Sequence, residues 1–431
     1  MNLQKILERY LARCVRRSLQ REHPLIIGIA GSVGKTSTKA AVGVALGALE
    51  QGSGVAMSDK NFNNDLGVPL TVFGCDMPQR SPFKWLMLLG KGTLTALGMM
   101  QLRAKTFVLE LGTDRPGDLY RLMRMARPSI GVFTAIGPEH TEFFGTVDGV
   151  AREEAPIVTM LPPDGTAIYN LDDVRVAEIC DDLSLKKISF GMNPQAEVHL
   201  ESSQVLIDEA VPELSGLEVT VSIRGVKHRL KLTGTVGKPQ AYAVAAALAV
   251  SPTEQSLERL QRDFHGMPGR VRLILGIKHT WLIDDTYNSS PLAALSAIND
   301  LMRFPLPAGG RRIAALGDML ELGALSEEAH LEMGQAAAAA GVDMLIACGT
   351  LAHVIAKGAL EAGMTEEKVF KFSKSADAGL FIQDRLHEHD VVLIKGSQGV
   401  RMERITRELM AHPDQAEQLL VRQSPDWLAR A

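Results

Sequence analysis

The chain has 431 residues, 46% of them hydrophobic, and its 46 basic and 50 acidic side chains leave a formal net charge of −4. That balance leaves room for two or three hydrophobic cores, excludes a disordered or fibrous chain, and gives no electrostatic basis for nucleic-acid binding, which needs clustered Lys and Arg. The basic stretch RCVRRSLQR near the N-terminus is short and reads as a solvated helix face.

Residues 1–23 place apolar and charged side chains at helical spacing, which predicts an amphipathic helix and lacks the uninterrupted apolar region of a secretory signal. From Pro24 to about Ala249, apolar or β-branched runs (LIIGIA, TFVLELG, SIGVFTAIG, GTAIYN) alternate with helical patterns, the signature of a mainly parallel sheet covered by helices. Within this region WLMLLGKGTLTALGMM, from Trp85 to Met100, is the most apolar segment. Its length, Lys91 and three glycines argue against a transmembrane helix, so it reads as a helix buried in the protein or docked on its surface in preference to one that contacts a membrane. Between Glu197 and Leu232 the pattern becomes antiparallel, at the edge of the same domain. The turn-rich HGMPGRV, from His265 to Val271, then opens a second βαβ series (TWLIDDTY, RRIAALGDM, DMLIACG, DVVLIKG). The expected organisation is an N-terminal helix over 1–23, an α/β domain over 24–265 and a second α/β domain over 266–431. Cys14, Cys75, Cys180 and Cys348 are too dispersed for a metal site or disulfide framework, which fits packing roles and a cytoplasmic location.

Chemistry enters at Gly31-Ser32-Val33-Gly34-Lys35-Thr36-Ser37, between a strand and a small-residue helix. Glycines let backbone N–H groups close around polyphosphate, the helix N-terminus adds positive potential, Lys35 reaches the terminal phosphates and Thr36 can ligate Mg²⁺. The widest form of this loop would carry glycine at position 29, where Ile29 stands.

The compact Gly-x-x-Gly-Lys-Thr form, followed by KNFNNDLGVPLTV (60–72), resembles the Mur ligase family, and within it the MurF type. Further matches run in family order: FVLELGTDRPGDL, GPEHTEFFGTVDGVA, NLDD, Gly269-Arg270, LIDDTYNSSP, LGDMLELG and LIKGSQ, covering roughly residues 24 to 410. The resemblance implies a P-loop central domain, a Rossmann-like C-terminal domain and an ATP- and Mg²⁺-dependent amide ligase. Such an enzyme activates a carboxylate as an acyl phosphate before an amine attacks. It further implies that Glu110 and His140 bind Mg²⁺, that Arg270 approaches the γ-phosphate, and that Asp285 and Asn288 contact nucleotide when the second domain closes. Asn61, Asn63 and Asn64 would lie near substrate, and Lys395 would be a further substrate residue. Asp318 and Glu321 would meet the incoming amine, or else these carboxylates serve as helix caps.

Three departures matter. The position of the family's carbamylated lysine holds Glu154, beside Glu153, and a glutamate there offers a carboxylate to Mg²⁺ without carbamylation; the other reading is a solvated acidic face. The family's His-Asn pair becomes Pro239-Gln240, which leaves adenine recognition open. The phosphate loop begins after only about 27 residues, shorter than the UDP-binding domain expected ahead of it, so a partner protein supplies acceptor recognition or the acceptor differs. The expected reaction adds an amino acid or a dipeptide such as D-alanyl-D-alanine to a muropeptide-type carboxylate. The alternatives are a folate or poly-amino-acid acceptor, or a nucleotide-binding subunit without ligase activity.

Overall fold

The computed structural model describes residues 3–58, 62–79, 81–113, 115–137 and 144–429. Its described strands form two sheets. The first has the order β2-β3-β1-β4-β5-β6-β7-β8-β9. β1 (Leu25–Ala30), β2 (Val55–Met57), β3 (Thr106–Glu110), β4 (Ile130–Phe133), β5 (Thr166–Asn170) and β6 (Lys186–Gly191) run parallel, and β7 (Val198–Leu206) pairs parallel to β6 over two residues. β8 (Gly216–Ile223) and β9 (Val226–Thr233) complete an antiparallel edge, as the alternation between 197 and 232 predicts.

Parallel strands are buried on both faces, which is why they read as unbroken apolar runs. One face of this sheet packs on α1 (Leu3–Glu22), α3 (Gly67–Phe73), α4 (Pro82–Leu97) and α5 (Asp118–Met125) around Phe107, Leu109 and Phe133. The other packs on α2 (Lys35–Ala45) and the alanine-rich helix Lys238–Val250 around Ile27, Ile29 and Val132. All four cysteines are buried and unbridged, and burial pushes the Cys180 and Cys348 thiols up to about 12.

α4 is neither a buried helix nor an amphipathic one in the ordinary sense. Ser81 caps its start, Pro82 occupies its first turn, and Gly98 ends it in the left-handed region at φ +83°. Its inner face buries Leu88, Gly92, Thr95 and Ala96, and Gly92 admits the rings and methyls of Phe73 and Leu11. Its outer face is apolar as well.

The second sheet has the order β10-β11-β15-β12-β13-β14, with β10 (Arg272–Gly276) antiparallel to β11 (Thr280–Asp285) and the remaining pairs parallel. β15 (Val391–Lys395) lies between β11 and β12 (Arg312–Gly317), so Asp285, Lys395 and Gly317 end neighbouring strands at the carboxyl edge, where open α/β sheets bind ligands. β13 (Met344–Cys348) and β14 (Val369–Phe372) extend the far side.

The two halves meet through backbone and side chain. Val236 N–H donates to Val271 O at 3.0 Å and Leu273 N–H to Gly234 O at 3.1 Å. From the helix Pro291–Arg303, Asp300 accepts the Lys238 N–H at 3.1 Å, and its second oxygen has no hydrogen-bond partner among the described residues. Burial pushes the Asp300 carboxyl up from 3.8 to about 7. The unfolded chain gives up this proton near pH 4 and the folded chain keeps it to about pH 7. The folded state therefore holds the extra proton between those limits, and stability falls as pH rises through them. Asp300→Asn keeps an acceptor for Lys238 and removes the charge, and every tenfold difference in proton affinity between the two states is worth about 1.4 kcal/mol. The expected outcome in urea unfolding is wild-type stability at pH 4 and greater than wild-type stability at pH 8. Parallel pH profiles for the two proteins would refute it.

Candidate active site

β1 delivers the chain into the glycine loop, and two conformations there demand glycine. Gly31 sits at φ +128° with Thr134 Oγ1 2.3 Å from where a Cβ would stand, and Gly34 sits at φ +91°. The loop N–H groups divide into two sets. Those of Gly31, Ser32 and Val33 donate within the protein: Gly31 to Glu154 Oε2 at 3.0 Å, and Ser32 and Val33 to Ala135 O at 2.7 and 3.3 Å. What remains is the first turn of α2, which starts at Lys35 with no side-chain cap, and the leading N–H groups of a helix have no intrahelical acceptor. The Lys35 ammonium donates to the Gly31 and Ser32 carbonyls, the latter at 3.1 Å. Ser32 Oγ donates to Gly137 O at 3.3 Å.

Beside Thr36 stands the carboxylate that ends β3. Thr36 Oγ1 donates to Glu110 Oε1 at 3.1 Å, and Glu110 Oε2 lies 3.6 Å from Lys39 Nζ without a hydrogen-bond partner among the described residues. Glu110 and Lys39 are 2% and 1% exposed, so this is a buried charge pair with one carboxylate oxygen left unsatisfied. Hard oxygen donors around an unsatisfied carboxylate suit Mg²⁺. No group of three or more His, Cys, Asp and Glu side chains gathers for a metal among the described residues. His140 and Asn61, both expected here, lie outside the described residues.

Glu154 is not part of a solvated face. It is 1% exposed, accepts the Gly31 N–H and also accepts the Thr113 hydroxyl at 2.6 Å, so its carboxylate joins the phosphate loop to the segment after β3. Glu153 takes a separate part, accepting the Gly117 N–H at 2.9 Å. Asn63 packs against Gly112, and its carbonyl accepts the Gly112 N–H at 2.9 Å. Asn64 Oδ1 instead accepts the Leu66 and Gly67 N–H groups, forming the turn that starts α3.

The Pro239-Gln240 departure resolves into a bridge. Gln240 is fully buried, and its Nε2 donates to Ser37 Oγ at 3.2 Å and to Arg270 O at 2.8 Å. One side chain thus spans the phosphate-loop helix and the start of the second domain. Next to it a cavity of about 280 Å³ is lined by Gly34, Thr38, Asn170, Phe190, Pro239 and Tyr242. Tyr242 donates to Asp172 Oδ2 at 2.6 Å, and burial pushes its phenol well above the ordinary value. Neither Tyr242 nor this use of Gln240 carries a motif signal.

Across the junction, the Arg270 guanidinium stacks on the Tyr287 ring with its carbon 4.3 Å from the centroid, while its buried Nε has no hydrogen-bond partner among the described residues. Asp284 fixes the loop before Arg270 by accepting the Gly269 N–H at 3.0 Å and the Thr406 and Thr286 hydroxyls at 2.7 and 2.9 Å. Burial pushes its carboxyl up to about 6, against the pull of those hydroxyls. Asp285 pairs with Lys395 at 2.6 Å, and Lys395 also donates to Asn288 O at 2.9 Å, while the Asn288 side chain is exposed. Asp318 is buried and accepts the Thr350 and Leu351 N–H groups at 2.7 and 3.0 Å, joining the ends of two neighbouring strands without capping a helix from its own loop, while Glu321 is exposed at φ +65°. His330, fully buried, accepts the Met319 N–H through Nε2 at 2.8 Å and props the same loop.

The fold and the order of its two domains have counterparts among known proteins. Residues 91–251 match the Mur ligase middle domain and residues 269–398 match the Mur ligase glutamate ligase domain, together about two thirds of the chain. A Bacillus subtilis protein named UDP-N-acetylmuramoyl-tripeptide--D-alanyl-D-alanine ligase is 27% identical over 94% of this chain and 79% of its own length. The crystal structure of MurF from Acinetobacter baumannii superposes with a TM-score of 0.73 at 25% identity, over 92% of this chain and 79% of that one. MurF ligase from Thermotoga maritima, solved in complex with ADP, shares the fold with a TM-score of 0.72 at 24% identity, over 93% and 83% of the two chains. The two domain matches, in this order along the chain, and the similarity over nearly its whole length show that the chain belongs to the Mur ligase family, in its MurF-like branch.

Proposed function

We propose that the chain is an ATP-dependent ligase that joins an amine to a carboxylate through an acyl phosphate, with a muramoyl-peptide carboxylate and D-alanyl-D-alanine as its substrates. The observation that carries this reading is the convergence of the α2 N-terminus, Lys35 and the buried Thr36–Glu110 pair with the Arg270 segment, one Gln240 side chain away. The relatives' names supply the substrates. ATP consumption and four unbridged cysteines support a cytoplasmic reaction, and among the described residues no helix is long and apolar enough to cross a membrane.

In this reading the nucleotide base enters the cavity beside Tyr242 and the phosphates lie along the first turn of α2. Lys35 turns from its own loop carbonyls to the terminal phosphate. Thr36 and Glu110 would hold Mg²⁺, which would supply neutralisation of the phosphate charge. A carboxylate oxygen attacks the γ-phosphorus and ADP leaves. The amine nitrogen then attacks the acyl carbon, inorganic phosphate leaves, and one proton is released from the nitrogen. Chemistry of this kind rests on positioning and on preorganised positive charge, which Arg270, stacked on Tyr287, brings from the second domain. Asn63 sits against the Glu110–Gly112 segment, where the activated carboxylate would lie. Asp285, Asn288 and Lys395 shape the carboxyl edge of the second sheet, and Glu321 is the carboxylate of its loop that is exposed to an incoming ammonium.

The test is ADP release by the purified chain with Mg-ATP. Release should require UDP-N-acetylmuramoyl-tripeptide and D-alanyl-D-alanine together, and Lys35→Ala should lower it by about 100-fold or more. Release that neither substrate stimulates would overturn the assignment. Glu154 separates two roles in the same assay. Glu154→Gln keeps one acceptor for the loop, whereas Glu154→Ala keeps none, so the alanine variant should lose roughly 10–100-fold in activity with a raised KM for ATP. The glutamine variant should retain ATP affinity and need more Mg²⁺ for half-maximal rate if the carboxylate also serves the ion. Full activity of Glu154→Ala would remove Glu154 from the site.

A further inference from the structure

α4 turns one apolar face inward and a second one outward. Phe83, Leu86, Met87, Leu94 and Leu97 recur at helical spacing on the solvent side, with Phe83 73% and Leu86 69% exposed. Met99, 71% exposed, continues the stripe past the end of the helix. Contiguous exposed apolar surface of this kind marks an interaction site.

The charges around the stripe say what it meets. α1 lies alongside α4, fastened by the Tyr10 and Thr93 hydroxyls at 2.6 Å and by Arg21, which donates to Thr95 O. While α1 buries Leu11, Cys14, Val15 and Leu19, its outward side exposes Lys5, Arg9, Arg13 and Arg17. α4 adds Lys84, exposed, and two turns on, along the same flank, Lys91, half-buried and donating to the Phe73 and Gly74 carbonyls at 3.4 Å. Together α1 and α4 carry eight cationic side chains (Lys5, Arg9, Arg13, Arg16, Arg17, Arg21, Lys84 and Lys91) and two carboxylates, in a chain whose net charge is −4. Both carboxylates are half-buried, with Glu8 accepting from Gln4 and Glu22 engaged by Arg21 and the Leu102 N–H. The cationic surplus is therefore local to this face.

We propose that the α1–α4 face docks on the surface of an anionic lipid bilayer, with the α4 stripe sunk among the acyl chains near the headgroups and the α1 arginines on the lipid phosphates. An apolar stripe flanked by Lys and Arg is the pattern of an interfacial helix, which lies in the plane of the membrane without crossing it. Pairing of two copies across a two-fold axis would set these cations against each other, so charge favours lipid over self-association. The proposal does not depend on which substrates the ligase takes.

The test is sedimentation of the full chain with vesicles of phosphatidylcholine mixed with phosphatidylglycerol, against vesicles of phosphatidylcholine alone. Partitioning should be roughly tenfold or more stronger on the mixed vesicles and should weaken at high salt. Phe83→Ser with Leu86→Ser, and separately Arg9→Glu with Arg13→Glu, should each lower it about tenfold or more while the circular dichroism spectrum and ATP binding stay those of wild type. Equal partitioning on both vesicle types, absence of partitioning, or binding indifferent to both pairs of substitutions would overturn the proposal. So would a lipid-free dimer by light scattering that the Phe83 and Leu86 substitutions dissociate, which would give the face to a second copy of the chain.

Discussion

The hydrogen bond from the Gly31 N–H to the Glu154 carboxylate is the constraint on which the rest of the site depends. A buried carboxylate is costly unless its oxygens are satisfied, and Glu154 meets that demand with one backbone N–H from the loop and one hydroxyl, Thr113, from the segment after β3. The loop is thereby held at its entry from the sheet. With Ser32 and Val33 anchored to Ala135 O, the first turn of α2 is what remains to face a ligand, and Thr36 is carried to Glu110.

Much of this is legible from residues alone because it is local. The glycine loop, the carboxylate at the end of β3 and the antiparallel edge each follow from short-range spacing, and the structure places Thr36 and Glu110 within hydrogen-bond distance. What the sequence does not carry is pairing across long separations. Glu154 reads equally well as a solvated helix residue until its two partners, 123 and 41 residues away, are known. Gln240 reads as a loss from a motif until Ser37 and Arg270 appear on its amide. Asp318 shows the opposite limit: its substrate and capping readings are equally open in the sequence, and its two backbone partners lie over thirty residues on.

The outer face of α4 lies outside what hydrophobic periodicity can report. Periodicity marks the side of a helix that seeks apolar company, and a helix with two such sides shows weak contrast, so buried and surface-docked readings cannot be told apart. Only the placement of α1 and Phe73 on one side reveals that the other is uncovered.

The helix Lys238–Val250 belongs to the first domain by its packing, yet its opening turn is held by the second: Asp300 takes the Lys238 N–H and Arg270 O takes the Gln240 amide. The same turn contributes Pro239 and Tyr242 to the cavity beside the phosphate loop. Occupancy of that cavity and the angle between the domains are consequently not independent variables. A ligand that prefers one setting of the turn biases the angle, and by reciprocity whatever draws the second domain inward alters the hold on that ligand by the same free energy. The first domain's hold on a ligand in that cavity and the setting of the second domain are then coupled through one helical turn.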